Sequence, residues 1–352
     1  MTKRILVGNV AIGGGAPIAI QSMCNVPFSR FDELVYQAKK LEESGCHILR
    51  VSVPDELSAK RFRDLRKEIS IPLVADIHFD YNLALESIKA GADKIRINPG
   101  NIKPEGLKKI ATAALKQNIP IRVGINAGSL EKDLLKKYGE PCAEALAQSA
   151  AKNVRLMEEC GFYDIIVSMK ASSVKMTVDA YRLYAEKFNT GNYPLHIGIT
   201  EAGTARMGLI KSAIGLGALL LDGIGDTIRV SLAADPVEEI YAAKSILRAA
   251  GIDKSGLEVI SCPTCGRTTI NSIQLAEKIE REFSYIRTPI KIAVMGCVVN
   301  GIGESAQADF GITGEKGEYL IFKGKKVVRR VSENEIMDVV KDEINQLANR
   351  KL

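Results

Sequence analysis

Between Ile18 and residue 250 one pattern recurs eight times: a short β-branched run, a polar or glycine-containing turn, then a helical periodicity. Such alternation is the signature of parallel strands joined by crossover helices. The strand cores are Ile18–Gln21, Ile48–Ser52, Leu73–Ile77, Lys94–Ile97, Ile121–Ile125, Ile165–Ser168, Leu195–Ile199 and Thr227–Ser231. Eight βα units are the number that closes an N-terminal (β/α)8 TIM barrel. A doubly wound open sheet is the alternative, but no G-x-G-x-x-G turn opens an early helix, as a dinucleotide fold requires. Ahead of the first strand, Ile5–Val7 and Val10–Ile12 flank Gly8-Asn9 and read as a β-hairpin that plugs the N-terminal mouth.

After residue 254 the pattern changes. Leu257–Ile260 and Ile290–Met295 read as strands around a helix at Ile273–Phe283, and Tyr319–Phe322 and Val327–Val331 as two more strands before a last helix at Glu333–Leu347. At 352 residues the chain is longer than one core usually serves. The expected organisation is a barrel over 1–253 and a small α+β domain over 254–352, linked at Lys254-Ser255-Gly256.

The balance of 48 Lys and Arg against 42 Asp and Glu is too mild and dispersed to argue for nucleic acid. The basic run Lys323–Arg330 lacks interleaved aromatics and reads as a solvated hairpin edge. Ile214–Leu221, the most apolar run, is far shorter than a bilayer span. Neither nucleic acid nor membrane is therefore an expected partner. The first residues carry no continuous apolar stretch of the signal-peptide kind. Seven cysteines, three of them late, suit a reducing compartment and a metal site better than a disulfide framework, so the expected location is cytoplasmic.

Those late cysteines carry the chemistry. Cys262-Pro-Thr-Cys265-Gly follows one strand, and Cys297 follows another in Gly-Cys297-Val-Val-Asn-Gly-Ile-Gly-Glu304. Thiolates at C-x2-C spacing select zinc or iron-sulfur, and the chain offers no second C-x2-C and no late histidine. Three thiolates with the carboxylate of Glu304 would leave one iron of a 4Fe-4S cluster with a hard, exchangeable ligand. A structural zinc site and simply buried thiols are the competing readings. Cys24, Cys46, Cys142 and Cys160 lack such spacing and read as small buried side chains.

The C-terminal strand ends of a barrel point into its active-site mouth, and here they are rich in cations and amides. Arg50 lies on the second strand, Asp76 and His78 end the third, and Arg96, Asn98 and Asn101 belong to the fourth. Arg122 and Asn126 mark the fifth, Ser168 and Lys170 the sixth, His196, Thr200 and Glu201 the seventh, and Arg229 and Ser231 the eighth. Guanidinium forks match phosphate oxygens, and converging cations fit a polyanion such as a diphosphate. A lone carboxylate there, Glu201, fits proton transfer. Individual arginines are equally compatible with structural ion pairs, and Asn98 to Asn101 and Asn126 to Ser129 with simple turns.

Cys-Pro-Thr-Cys-Gly-Arg-Thr and Gly-Cys-Val-Val-Asn-Gly-Ile-Gly-Glu follow a barrel carrying Asp-Ile-His-Phe, Arg-Ile-Asn-Pro-Gly-Asn, Arg-Val-Gly-Ile-Asn and Gly-Ile-Thr-Glu-Ala-Gly. Over essentially its whole length the chain resembles the short, two-domain bacterial form of the 4-hydroxy-3-methylbut-2-enyl diphosphate synthase family. The resemblance implies reductive ring opening of 2-C-methyl-D-erythritol 2,4-cyclodiphosphate with loss of water. It implies a 4Fe-4S cluster held by Cys262, Cys265, Cys297 and Glu304, with flavodoxin or ferredoxin as electron donor. It also implies a homodimer in which the cluster domain of one chain caps the barrel of the other. The family's barrel is similar to that of dihydropteroate synthase. That likeness supplies the alternative function, a non-redox transferase or lyase acting on a phosphorylated substrate and carrying a structural zinc domain. An RNA-binding iron-sulfur protein rests on the mild positive charge alone.

Overall fold

The structure is a computed structural model and describes residues 1–299, 303 and 308–350. The chain separates into two compact units, Met1–Ala250 and Gly251–Leu352.

The first unit is the barrel. Its strands are β3 (Ala19–Met23), β4 (Ile48–Ser52), β5 (Leu73–Asp76), β6 (Lys94–Ile97), β7 (Ile121–Asn126), β8 (Ile165–Lys170), β9 (His196–Ile197) and β10 (Thr227–Ile228). They pair in parallel in the order β8-β7-β6-β5-β4-β3-β10-β9. A parallel bridge between Val167 and Leu195 joins β8 to β9 and closes the cylinder. The crossovers are α1 (Phe31–Glu43), α2 (Glu56–Glu68), α3 (Tyr81–Lys89), α4 (Pro104–Gln117), α5 (Lys132–Tyr138), α6 (Ala143–Glu159), α7 (Val174–Lys187), α8 (Ala205–Leu221) and α9 (Pro236–Ala249). Several start where a strand-end loop supplies a short polar cap: Asp55 accepts from Ser58 N, Asp80 from Asn82 N and Ser173 from Met176 N.

Side-chain parity along the strands decides what lies inside. Leu49, Val51, Leu73, Ala75, Ile95, Ile97, Ile121, Val123, Ile165 and Val167 point outward and bury against the helices in the main core. The positions between them point inward. At the bottom these are apolar: Ala19, Ile48, Val74 and Ile166 pack against Ile5, Val7 and Ile12. Those last three belong to the hairpin β1 (Ile5–Val7) and β2 (Val10–Ile12), which plugs the barrel as expected. Above that floor the inward positions are charged. The last two strands are shorter than the sequence pattern implies. At Gly198, just past β9, a β-carbon would lie 2.6 Å from the Arg229 carbonyl oxygen, so the backbones approach too closely there for any side chain.

The second unit is a five-stranded sheet in the order β11 (Leu257–Ser261), β12 (Ile290–Met295), β13 (Phe310–Glu315), β14 (Glu318–Lys323), β15 (Lys326–Val331). The first three strands are parallel and the last two antiparallel. Helix α10 (Ser272–Glu282) and the C-terminal helix Ile336–Arg350 bury Leu275, Ile279, Ile336, Val340 and Ile344 against the sheet. Strand β13 was not expected. Gly311 and Gly314 break its β-branched signature, and Gly314 is bare because Thr269 and Ile270 crowd its α-carbon. The basic run lies on the exposed outer strand β15, the usual use of lysine at an unprotected sheet edge. Among the described residues no helix is long and apolar enough to cross a membrane.

Candidate active site and cluster loop

Six basic side chains occupy the inward strand positions: Arg50, Lys94, Arg96, Arg122, Lys170 and Arg229. Two carboxylates face them. Asp76 Oδ1 lies 3.2 Å from Arg96 Nη1, and its Oδ2 lies 3.8 Å from Arg50 Nη2 and 3.2 Å from His78 Nε2. Glu239, from α9, lies 3.7 Å from Arg229 Nη2 and accepts from Ser22 Oγ at 2.9 Å and from the Leu232 amide at 3.1 Å. Burial alone would raise the Asp76 carboxyl, but Arg50, the His78 hydrogen bond, Arg96 and Arg122 outweigh it and hold the group well below the usual carboxylate range.

Among the described residues the remaining cations have no carboxylate partner of their own. Lys94 Nζ donates to Gln21 Oε1 at 3.0 Å, and Lys170 Nζ lies 3.3 Å from His196 Nε2. Burial first, and then neighbouring cations, push Lys94, Arg122, Lys170 and His196 well below their ordinary values, and burial brings Arg50 down to about 10. Arg122 Nε and Nη1, Arg96 Nε, Arg229 Nε, Gln21 Nε2 and His196 Nδ1 are buried without a hydrogen-bond partner among the described residues. So many converging donors without acceptors are costly unless an anion meets them.

Space for these long side chains is made by glycine. A β-carbon on Gly124 would lie 2.5 Å from Arg96 Nε, and one on Gly198 would lie 2.8 Å from Lys170 Nζ. Above the charged layer is a cavity of ≈ 300 Å³ whose lining includes His78, Arg96, Asn98, Asn101, Asn126, Thr200 and Glu201. Seven of the expected residues thus meet at one mouth. Arg50, Asp76, Arg122, Ser168, Lys170, His196 and Arg229 lie beneath or beside it on the inward strand positions, and Ser231 follows β10. His196 is 0% exposed, so it contacts the site through Lys170. Asn98 has two roles: its Oδ1 accepts from Gly100 N to form the turn, and the residue lines the cavity. Glu201 is exposed and held at φ 50°, an unusual conformation for a non-glycine residue and one that clusters at functional sites.

Sequence reading missed Phe79 and Ser172 in the lining, and Gln21, Lys94 and Glu239 beneath it. Parity would have found Lys94, two residues before the inward Arg96. Glu239 sits on a helix and gave no such signal.

In the second unit, Ser261 of β11 stands in register with Val294 of β12, so both cysteine segments leave the same edge of the sheet. Gly296 N–H donates to Cys262 Sγ at 3.2 Å. The Cys265 amide donates to Thr268 Oγ1 at 3.2 Å, and a β-carbon on Gly296 would lie 2.6 Å from that oxygen. Cys297 is buried and Cys265 exposed. Among the described residues no three His, Cys, Asp or Glu side chains already stand together at metal-holding distances, and Glu304, the expected fourth ligand, lies outside the described residues. A backbone N–H directed at the Cys262 sulfur and a side-chain-free approach at Gly296 fit a thiolate-bound cluster. By contrast, burial pushes the Cys24 and Cys46 thiols up to about 12, as suits packing residues.

Residues 2–244 match the GcpE TIM-barrel domain and residues 258–346 the GcpE protein C-terminal domain. The chain belongs to the GcpE family. It is 54% identical over 352 residues to the 4-hydroxy-3-methylbut-2-en-1-yl diphosphate synthase (flavodoxin) of Caldanaerobacter subterraneus subsp. tengcongensis, covering 100% of this chain and 98% of that one. It is 50% identical to the protein of the same name from Fusobacterium nucleatum subsp. nucleatum, with 99% of each covered. Among solved structures, dihydropteroate synthase from Yersinia pestis matches 71% of this chain and 99% of its own, with a TM-score of 0.51 and 15% identity. That likeness is one of barrel fold alone. The family's two domains coincide with the barrel and the sheet unit that carry the cationic mouth and the cysteines.

Proposed function

We propose that this chain converts 2-C-methyl-D-erythritol 2,4-cyclodiphosphate to 4-hydroxy-3-methylbut-2-enyl diphosphate by two-electron reductive ring opening and dehydration. The observation that carries this reading is full-length membership of a family whose curated relatives bear that activity as their name. The partnerless guanidinium donors of the barrel support a diphosphate ligand. In this reading Arg96, Arg122 and Arg229, with Lys170, Asn98 and Asn126, bind and orient the diphosphate. Asp76 fixes the Arg50 and Arg96 forks and keeps them from turning away. Glu201, at the rim, supplies a proton to the departing hydroxyl.

Cys262, Cys265, Cys297 and Glu304 would hold the 4Fe-4S cluster. Low-potential electrons, which no protein side chain can supply, are the chemistry the cluster brings. Flavodoxin is the donor we assign, from the relatives' names. The reaction is placed in the cytoplasm, where thiols stay reduced. A homodimer in which one chain's second unit caps its partner's barrel is also proposed. Met207, Ile210, Ile214 and Leu221 leave an exposed apolar stripe on α8 that supports self-association. Sedimentation showing only monomer at working concentration would overturn the assembly. The function itself is tested by anaerobic turnover with reduced flavodoxin: ring-opened, dehydrated diphosphate is expected, and recovery of intact substrate from cluster-loaded protein would refute it.

A further inference from the structure

The carboxylates of the barrel serve its arginines, Asp76 holding Arg50 and Arg96 and Glu239 facing Arg229. Among the described residues Lys170 has no such partner. Its side chain is 6% exposed, lies over bare Gly198, and places Nζ 3.3 Å from Nε2 of the wholly buried His196. An ammonium can donate to that nitrogen only while the nitrogen is unprotonated, so the pair holds at most one full positive charge in this geometry. The backbone that carries the ring is tied to β8: Tyr181 Oη, on α7, donates to the His196 main-chain carbonyl at 2.6 Å and accepts from Met169 N at 2.9 Å.

Every element around the pair adds charge. Arg50 comes from β4, Asp76 from β5 and His78 from two residues past it, Lys94 and Arg96 from β6, Arg122 from β7, Arg229 from just past β10 and Glu239 from α9. Cations outnumber carboxylates, so the ligand-free barrel disfavours a further proton on the pair, and an entering anion reverses that balance.

We propose that Lys170 and His196 form a proton-uptake pair, in which a phosphate-class anion entering the mouth draws a solvent proton onto Lys170 Nζ while His196 acts as the positioning residue holding that nitrogen toward the anion. One N–H bond forms on Nζ, one buffer acid loses its proton, and no electrons move. This rests on the reading of the mouth as a phosphate site.

Calorimetry of the full chain with inorganic pyrophosphate, at pH 8 in buffers of different ionisation enthalpy, tests it. Lys170→Arg stays charged at every accessible pH, so its proton exchange on binding is the baseline. The native chain should take up as much as about one proton more than Lys170→Arg, with affinity falling up to about tenfold per pH unit relative to that variant. Sulfate, which exchanges no proton near neutrality, repeats the measurement on native protein alone should the variant not fold. For positioning, His196→Leu should weaken pyrophosphate about tenfold, and His196→Gln, whose carbonyl can accept from Nζ, should recover most of the loss. Binding with no excess uptake over Lys170→Arg, and with none for sulfate, overturns the inference while leaving the phosphate site intact. Equal affinity in the two His196 variants removes the positioning role. A native chain that binds neither anion overturns the phosphate reading itself.

Discussion

Gly124 faces Arg96 so closely that a β-carbon there would lie 2.5 Å from the guanidinium Nε. The missing side chain on β7 sets where the Arg96 fork points, between Asp76 Oδ1 at 3.2 Å and the Gly124 carbonyl at 3.3 Å. Gly124→Ala should displace Arg96 while leaving the outward-facing core untouched. Pyrophosphate affinity is expected to fall about tenfold or more, with far-UV circular dichroism unchanged. Native affinity in this variant would show that Arg96 does not touch the ligand.

Asp76 neutralises a crowd of arginines, so Asp76→Ala should cost about 3–5 kcal/mol of stability, the usual loss when one member of a buried pair is removed. Urea unfolding without anion measures it. Saturating pyrophosphate should recover part of the loss by binding only the folded state. Because the folded carboxyl sits below its unfolded value, its contribution is present above the ordinary carboxylate value of about 4 and lost as pH falls below it. The stability gap between native and variant should therefore narrow under acid. A gap unchanged there would mean that Asp76 is not the charge balancing Arg50 and Arg96.

Gly296 approaches Thr268 Oγ1, the oxygen that accepts from the Cys265 amide, and its own N–H reaches Cys262 Sγ. Gly296→Ala should push the two cysteine segments apart. Iron retention against a chelator is expected to weaken about 10- to 100-fold, the scale of losses when groups supporting metal ligands are disturbed. Full retention would place the cluster away from this edge.

Glu201→Gln keeps shape and hydrogen bonding but removes the ionisable proton. Turnover is expected to fall about 10²-fold with substrate binding largely kept. An unchanged rate would return Glu201 to a loop role set by its φ of 50°.

The strands were legible because most carry an apolar outer face, β-branched in Ile95-Ile97 and Ile121-Val123-Ile125 and mixed with leucine or alanine in Leu49-Val51 and Leu73-Ala75. Strand β13 was not, because Gly311 and Gly314 interrupt its apolar run, and Gly314 serves close packing rather than propensity. In the site, the residues at strand ends could be read directly, since a barrel aims them at one mouth. Depth could not. His196 and Lys170 look alike in sequence to the rim residues, yet the first is wholly buried and the second nearly so. Lys94 was marked by parity with Arg96 and passed over, whereas Gln21 and Glu239 gave no such signal, because only tertiary pairing brings them to Lys94 and Arg229. The parallel pairing of β11 with β12, which puts Cys262 and Cys297 at one edge, was foreshadowed by each cysteine segment following directly on a strand.

Cys262, Cys265 and Cys297, with Glu304, are proposed to hold a redox cluster. Iron, sulfide and zinc analysis with a visible spectrum, on anaerobically reconstituted native and Cys297→Ser protein, tests it most directly. The native chain should be brown with about four iron and four sulfide per chain, and the variant should lose colour and iron while its barrel still binds pyrophosphate. Colourless native protein carrying zinc, or a variant that keeps its iron and spectrum, would contradict the account.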